Sequence, residues 1–103
     1  MELQELKEKL EQTGFPVAYY SFPENEAPPL PFICYLVTGS DNFAADGVVY
    51  DKALQIQIEL YTRGKDLQAE ESVEAALSEF VWNKTESYID SEKCYQIAYE
   101  IEV

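Results

Sequence analysis

From Leu54 to Tyr61 the chain alternates without a break, with Leu54, Ile56, Ile58 and Leu60 on one side and Gln55, Gln57, Glu59 and Tyr61 on the other. Successive side chains of a β-strand point to opposite faces, whereas a helix would spread these apolar residues around its circumference. The run predicts a long half-buried strand from about Val48 to Thr62. A sheet built on it has one apolar face, and that face must be covered by something apolar in turn.

Two stretches have the pattern to cover it. Leu3, Leu6 and Leu10 recur at three- and four-residue spacing before Gly14, which predicts a helix over about residues 2 to 13. Arg63-Gly64-Lys65 breaks the long strand and Asp66 can cap. Ala69, Val73, Ala76, Leu77 and Phe80 then share one face of a second helix, over about 66 to 80. The aromatic and β-branched run Phe15 to Phe22, interrupted by Pro16, suits a short edge strand, and Glu24 to Pro31 suits a semi-rigid connector. Phe32 to Val37 is apolar at every position, which predicts a central strand. Gly39 to Gly47 has the composition of a turn or loop. Trp82 to Ile89 and Lys93 to Val103 read as an antiparallel pair around Asp90-Ser91. The expectation is a single α+β domain over residues 1–103, in the order α-β-β-β-α-β-β. Its largely antiparallel sheet would carry both helices on one face.

Composition narrows what such a domain can do. Seven basic against twenty acidic residues give a formal charge of −13, which repels the phosphate backbone on which nucleic-acid affinity rests. Basic partners suit it better, and no nucleic-acid binding is expected. The amino terminus lacks the basic and apolar runs of a signal peptide, and no apolar stretch approaches the roughly 20 residues that span a bilayer. A cytoplasmic protein without membrane contact is expected, and Cys34 and Cys94 should remain thiols there.

Catalytic signals are missing. There is no histidine, so the commonest general base, nucleophile partner and zinc ligand are all absent. Twenty carboxylates supply too many pairs for any one pair to signify acid–base work. Asp41 to Lys52 superficially suggests a calcium loop, but Phe43 and Ala45 stand where ligands belong and Lys52 stands where a bidentate Glu is required. Neither GxGxxG nor GxxxxGK[ST] occurs. No enzyme activity, cofactor or metal is expected.

The segments Pro28 to Leu36, Asp41-Asn-Phe-Ala-Ala-Asp-Gly-Val-Val-Tyr50, Gln57 to Thr62 and Ser91 to Val103 carry a resemblance. Together they resemble the small tail-completion proteins of siphophages and of prophages of Gram-positive bacteria, in the same order of elements and over nearly the whole chain. The resemblance implies a structural subunit that closes the head-proximal end of the tail as a ring, typically of six, and meets tail-tube and head-connector proteins in the virion. It implies no catalysis. Composition adds a candidate interaction segment around Asp41, Asn42, Phe43, Asp46, Gly47 and Tyr50, with Phe43 expected to be partly exposed in a mobile loop that orders on assembly. The alternative reading is an acidic inhibitor that imitates nucleic acid, or a small protein-binding adaptor.

Overall fold

The first helix, α1 (Leu3–Glu11), turns Leu6 and Leu10 fully inward and sets Glu5 in its first turn and Lys9 in its last, where each charge opposes the helix dipole. It stops on side-chain and backbone capping. The Thr13 hydroxyl donates to the Leu10 carbonyl at 2.7 Å, and the Gly14 N–H donates to the Glu11 carbonyl at 3.0 Å. Gly14 sits at φ +87°, a left-handed conformation that only glycine takes without strain. The structure, a computed structural model, describes residues 1–45, 47–51 and 53–103, including their side chains except at 43–45 and 49–51.

Five strands form one sheet in the order β1-β2-β5-β7-β6. They are β1 (Val17–Tyr19), β2 (Phe32–Ser40), β5 (Leu54–Thr62), β6 (Asn83–Ile89) and β7 (Cys94–Glu102). Two further strands, β3 (Phe43–Ala45) and β4 (Val48–Asp51), pair with each other outside it. Within the five-stranded sheet only the β1–β2 pair is parallel. The architecture is the α+β arrangement that the sequence predicts, with α1 and α2 (Leu67–Ala76) packed on a largely antiparallel sheet.

Three local expectations are corrected. The middle strand is β5, not the uniformly apolar β2, which lies one place from the edge with β1 outside it. Its second apolar face is explained by an aromatic row, in which Phe22 packs on Phe32 at 5.2 Å and Phe32 on Tyr61 at 5.1 Å. The segment before β2 thus folds over that end of the sheet. The strand expected to run unbroken from Val48 instead divides into β4 and β5, and the expected loop at 39–47 contributes the end of β2 and all of β3.

The alternation in β5 works as anticipated. Ile56, Ile58 and Leu60 are buried and sit in three cross-strand rows: Ile33–Leu60–Ile97, Tyr35–Ile58–Tyr99 and Val37–Ile56–Ile101. Leu6, Leu10, Ala69, Val73 and Leu77 of the helical layer close over these rows in one cluster. The Asp66 carboxylate accepts from the Ala69 N–H at 3.0 Å and caps α2.

One charge lies within that layer. Glu70 of α2 is 2% exposed, and its two oxygens meet Lys65 at 2.7 Å and Lys84 at 3.0 Å. Lys84 also reaches Glu74 at 2.7 Å, and the Tyr99 hydroxyl donates to Glu74 at 2.8 Å. Burial works to raise the Glu70 carboxyl, but hydrogen bonds and charge from Lys65 and Lys84 reverse the effect and hold it below its ordinary value.

Truncating Ile56 or Ile58 to Ala should cost about 2–5 kcal/mol in denaturant unfolding, whereas Gln55→Ala should cost about 0.5 kcal/mol or less. Equal costs would mean that the register is wrong. Because the folded Glu70 carboxyl is the stronger acid, its contribution is full above the ordinary carboxyl value of 4.5 and is lost as the pH falls through the folded value. Glu70→Gln should therefore flatten the acid limb of stability against pH, and an unchanged slope would show that Glu70 is not the titrating group.

Candidate interaction surface

The predicted segment becomes a hairpin. Ser40 is still paired with Leu54, and the Asp41 N–H donates to the Ala53 carbonyl at 2.8 Å, so both chain paths leave the sheet together. The Asn42 side-chain amide donates to the Ser40 hydroxyl at 3.3 Å. Beyond it Phe43 stands opposite Asp51, Ala44 opposite Val49 and Ala45 opposite Val48, with a register shift between Phe43 and Ala44. Gly47 turns the chain at φ +74°. Tyr50 lies in β4. Asp46 falls outside the described residues, as do the side chains of Phe43 and Tyr50, and with them the expected partial exposure of Phe43.

Among the described residues, the backbones of β3 and β4 come close to any extent only to one another. The molecule is correspondingly long, 49 × 27 × 23 Å, and its radius of gyration of 14.8 Å exceeds the about 13 Å usual for a compact chain of this length. A two-stranded hairpin by itself is marginal in water. Its apolar residues Val48 and Val49 have the β-branched character that a neighbouring surface can accept.

The sheet face turned away from the helices is the second surface, and beyond the Phe22–Phe32–Tyr61 row it is polar. Gln57 donates to Glu59 at 2.8 Å, Tyr61 donates to Glu59 at 3.0 Å, and Gln96 donates to the Tyr61 hydroxyl at 3.0 Å. Ser87 of β6 extends the chain to Gln96 at 3.4 Å. These bonds hold the long side chains flat across three strands, and they cover Cys34 and Ala98 between them. Glu100 and Glu102 continue the face as exposed carboxylates. Carboxylates and amides without a basic side chain among them do not suit a phosphate-bearing ligand.

Burial, and then the Glu59 charge, push the Cys34 thiol up to about 11, and burial does the same to Tyr61, which rises to about 12. Cys94 is raised by burial and by Glu92. Both thiols are free and buried, and a protonated buried thiol is a poor nucleophile. Among the described residues no three of His, Cys, Asp and Glu are grouped so as to hold a metal. No described helix is long and apolar enough to cross a membrane. No protein-family model matches the chain, and a search of curated proteins finds no relative.

Sequence reasoning located the segment that leaves the sheet but missed its strand character and the hydrogen-bonded outer face. Asp46-Gly47 between apolar residues is the signal that could have found the hairpin. Alkylation at neutral pH should leave both thiols largely unmodified in the folded protein, and denaturing, non-reducing titration should return two per chain. Rapid labelling of Cys34 without unfolding would contradict its burial.

Proposed function

We propose that the chain is a structural subunit of a phage particle, a tail-completion protein that closes the head-proximal end of the tail as a ring and joins it to the head connector. The observation that carries this reading is the β3–β4 arm, which among the described residues pairs with no strand of the five-stranded sheet and whose backbone neighbours lie chiefly within the arm itself. An arm that is marginal alone gains its stability from a neighbour, and a ring supplies an identical neighbour to every subunit. The resemblance of residues 41–50 and of the flanking strands to tail-completion proteins supports the same role. An acidic, amide-rich sheet face suits contact with basic surfaces of tail-tube or connector proteins. The mimic of nucleic acid finds less support, because Glu70, Glu74, Glu79, Glu86 and Asp90 are already paired with lysines of the domain itself.

Purified protein mixed with tails that lack a finished head-proximal end should bind there as a ring in electron micrographs. Replacing residues 43–51 with Gly-Gly should leave the melting temperature nearly unchanged and abolish that binding. A protein that ignores tail ends, or a shortened chain that binds them as well as the original, would remove the reading.

A further inference from the structure

The two edges of the five-stranded sheet are unequal. β1 is three residues long and is followed at once by Tyr20, whose φ of +68° turns the chain away, so that edge is blunt. β6 runs for seven residues, six of them exposed, and among the described residues no strand pairs with its outer side. Leu54 and Val103 exchange both backbone hydrogen bonds, at 2.8 and 2.9 Å, so odd-numbered residues of β7 bond to β5 and even-numbered ones to β6. Through the pairs Glu100–Asn83, Ala98–Thr85 and Gln96–Ser87, the odd residues of β6 bond inward. Lys84, Glu86 and Tyr88 therefore direct their N–H and C=O groups out of the sheet.

We infer that this edge pairs with the same edge of a second copy of this chain, antiparallel about a two-fold axis through Thr85. The backbone allows only registers that set Lys84, Glu86 and Tyr88 against one another. Centring on Lys84 or on Glu86 places like charges face to face. Centring on Thr85 sets Lys84 of each copy opposite Glu86 of the other, twice. The same register continues outward with Asn83 opposite Ser87, Trp82 opposite Tyr88 and Val81 opposite Ile89. It would cover Val81, 92% exposed, and Tyr88, 49% exposed. Lys84 gives two of its three hydrogens to Glu70 and Glu74, which leaves one for the second copy.

The geometry permits the pairing. α2 packs on the sheet inside β6, and even directly over β7 the helices of two copies would stand about 14 Å apart, three strand spacings of about 4.8 Å. Packed helices lie at about 8–10 Å, so the two do not collide. The interface is one strand pair between copies of charge −13, so the dimer is weak and needs about 0.15 M salt to screen the long-range repulsion. It is a property of the free subunit and does not depend on the tail assignment.

Single cysteines test the register. Opposed residues that do not share hydrogen bonds lie about 4.5 Å apart at Cα, within disulfide range, so Thr85→Cys should cross-link into dimers on mild oxidation. Ser87→Cys, equally exposed but set opposite Asn83, should cross-link at least about tenfold more slowly. Adding Glu86→Lys to Thr85→Cys should suppress the cross-link by setting lysine against lysine. Glu86→Pro should do the same while keeping the fold, because the N–H it removes points outward and the Lys65 contact it gives up is an exposed ion pair. Sedimentation of the unaltered protein should show a concentration-dependent dimer. A Thr85→Cys chain that stays monomeric, a Ser87→Cys chain that links as fast, or links indifferent to Glu86→Lys would each overturn the inference.

Discussion

The middle strand of the sheet is hydrogen-bonded on both sides but apolar on one face only, and the rest of the molecule follows from that asymmetry. With Ile56, Ile58 and Leu60 committed to one side, the neighbouring strands must bring Ile33, Tyr35, Ile97 and Tyr99 to the same side, or the rows of the core break. Both helices then have to lie there. A shift of β5 by one residue would turn Ile56, Ile58 and Leu60 away from these neighbours and to water. The opposite face is left to Gln57, Glu59, Tyr61 and Gln96, which satisfy one another instead of a covering layer.

Glu70 fixes the helical layer in the other direction. A buried carboxylate is costly unless it is paired, and here the lysines come from the loop before α2 and from β6. Sliding α2 along the sheet by a turn would leave the carboxylate unpaired among Val73, Leu77 and Tyr99. The same contacts tie down β6, whose own side chains are too exposed to anchor it. Lys84 lies over the rings of Trp82 and Tyr99 at 5.7 and 5.9 Å, so the edge strand is held by charge and aromatic contact where aliphatic burial is missing.

What could be read in the sequence was what periodicity encodes. The inward residues of β5 and β7, the two helices and the Asp66 cap all follow from spacing, because burial on one face is a strong local constraint. The position of β2 did not, since an apolar strand looks the same whether a helix or a folded-back Phe22 covers its second face. Strand order is a long-range property, and spacing within a strand carries no record of it. The break between β4 and β5 was lost for a related reason: Val48, Val49 and Tyr50 have strand propensity, and propensity does not say which sheet a strand joins. In the candidate segment the turn chemistry was legible and its hairpin was not. The free edge of β6 needed both the strand order and the ladder phase before it could be seen.

The order of the strands in space also bears on the order in which they can form. β7 lies between β5 and β6, although β6 precedes it in the chain and α2 separates both from β5. The β6–β7 hairpin closes over the short link from Ile89 to Cys94, whereas the β5–β7 ladder joins Gln55 to Glu102 and Thr62 to Tyr95 across the whole helix. Loop closure favours the local pair first, so β6 and β7 reach β5 as a preformed ribbon and dock along β7. The search for that docking register, more than the formation of either helix, sets the pace of folding, and until it succeeds the apolar rows of β5 and β7 are open to any other chain nearby.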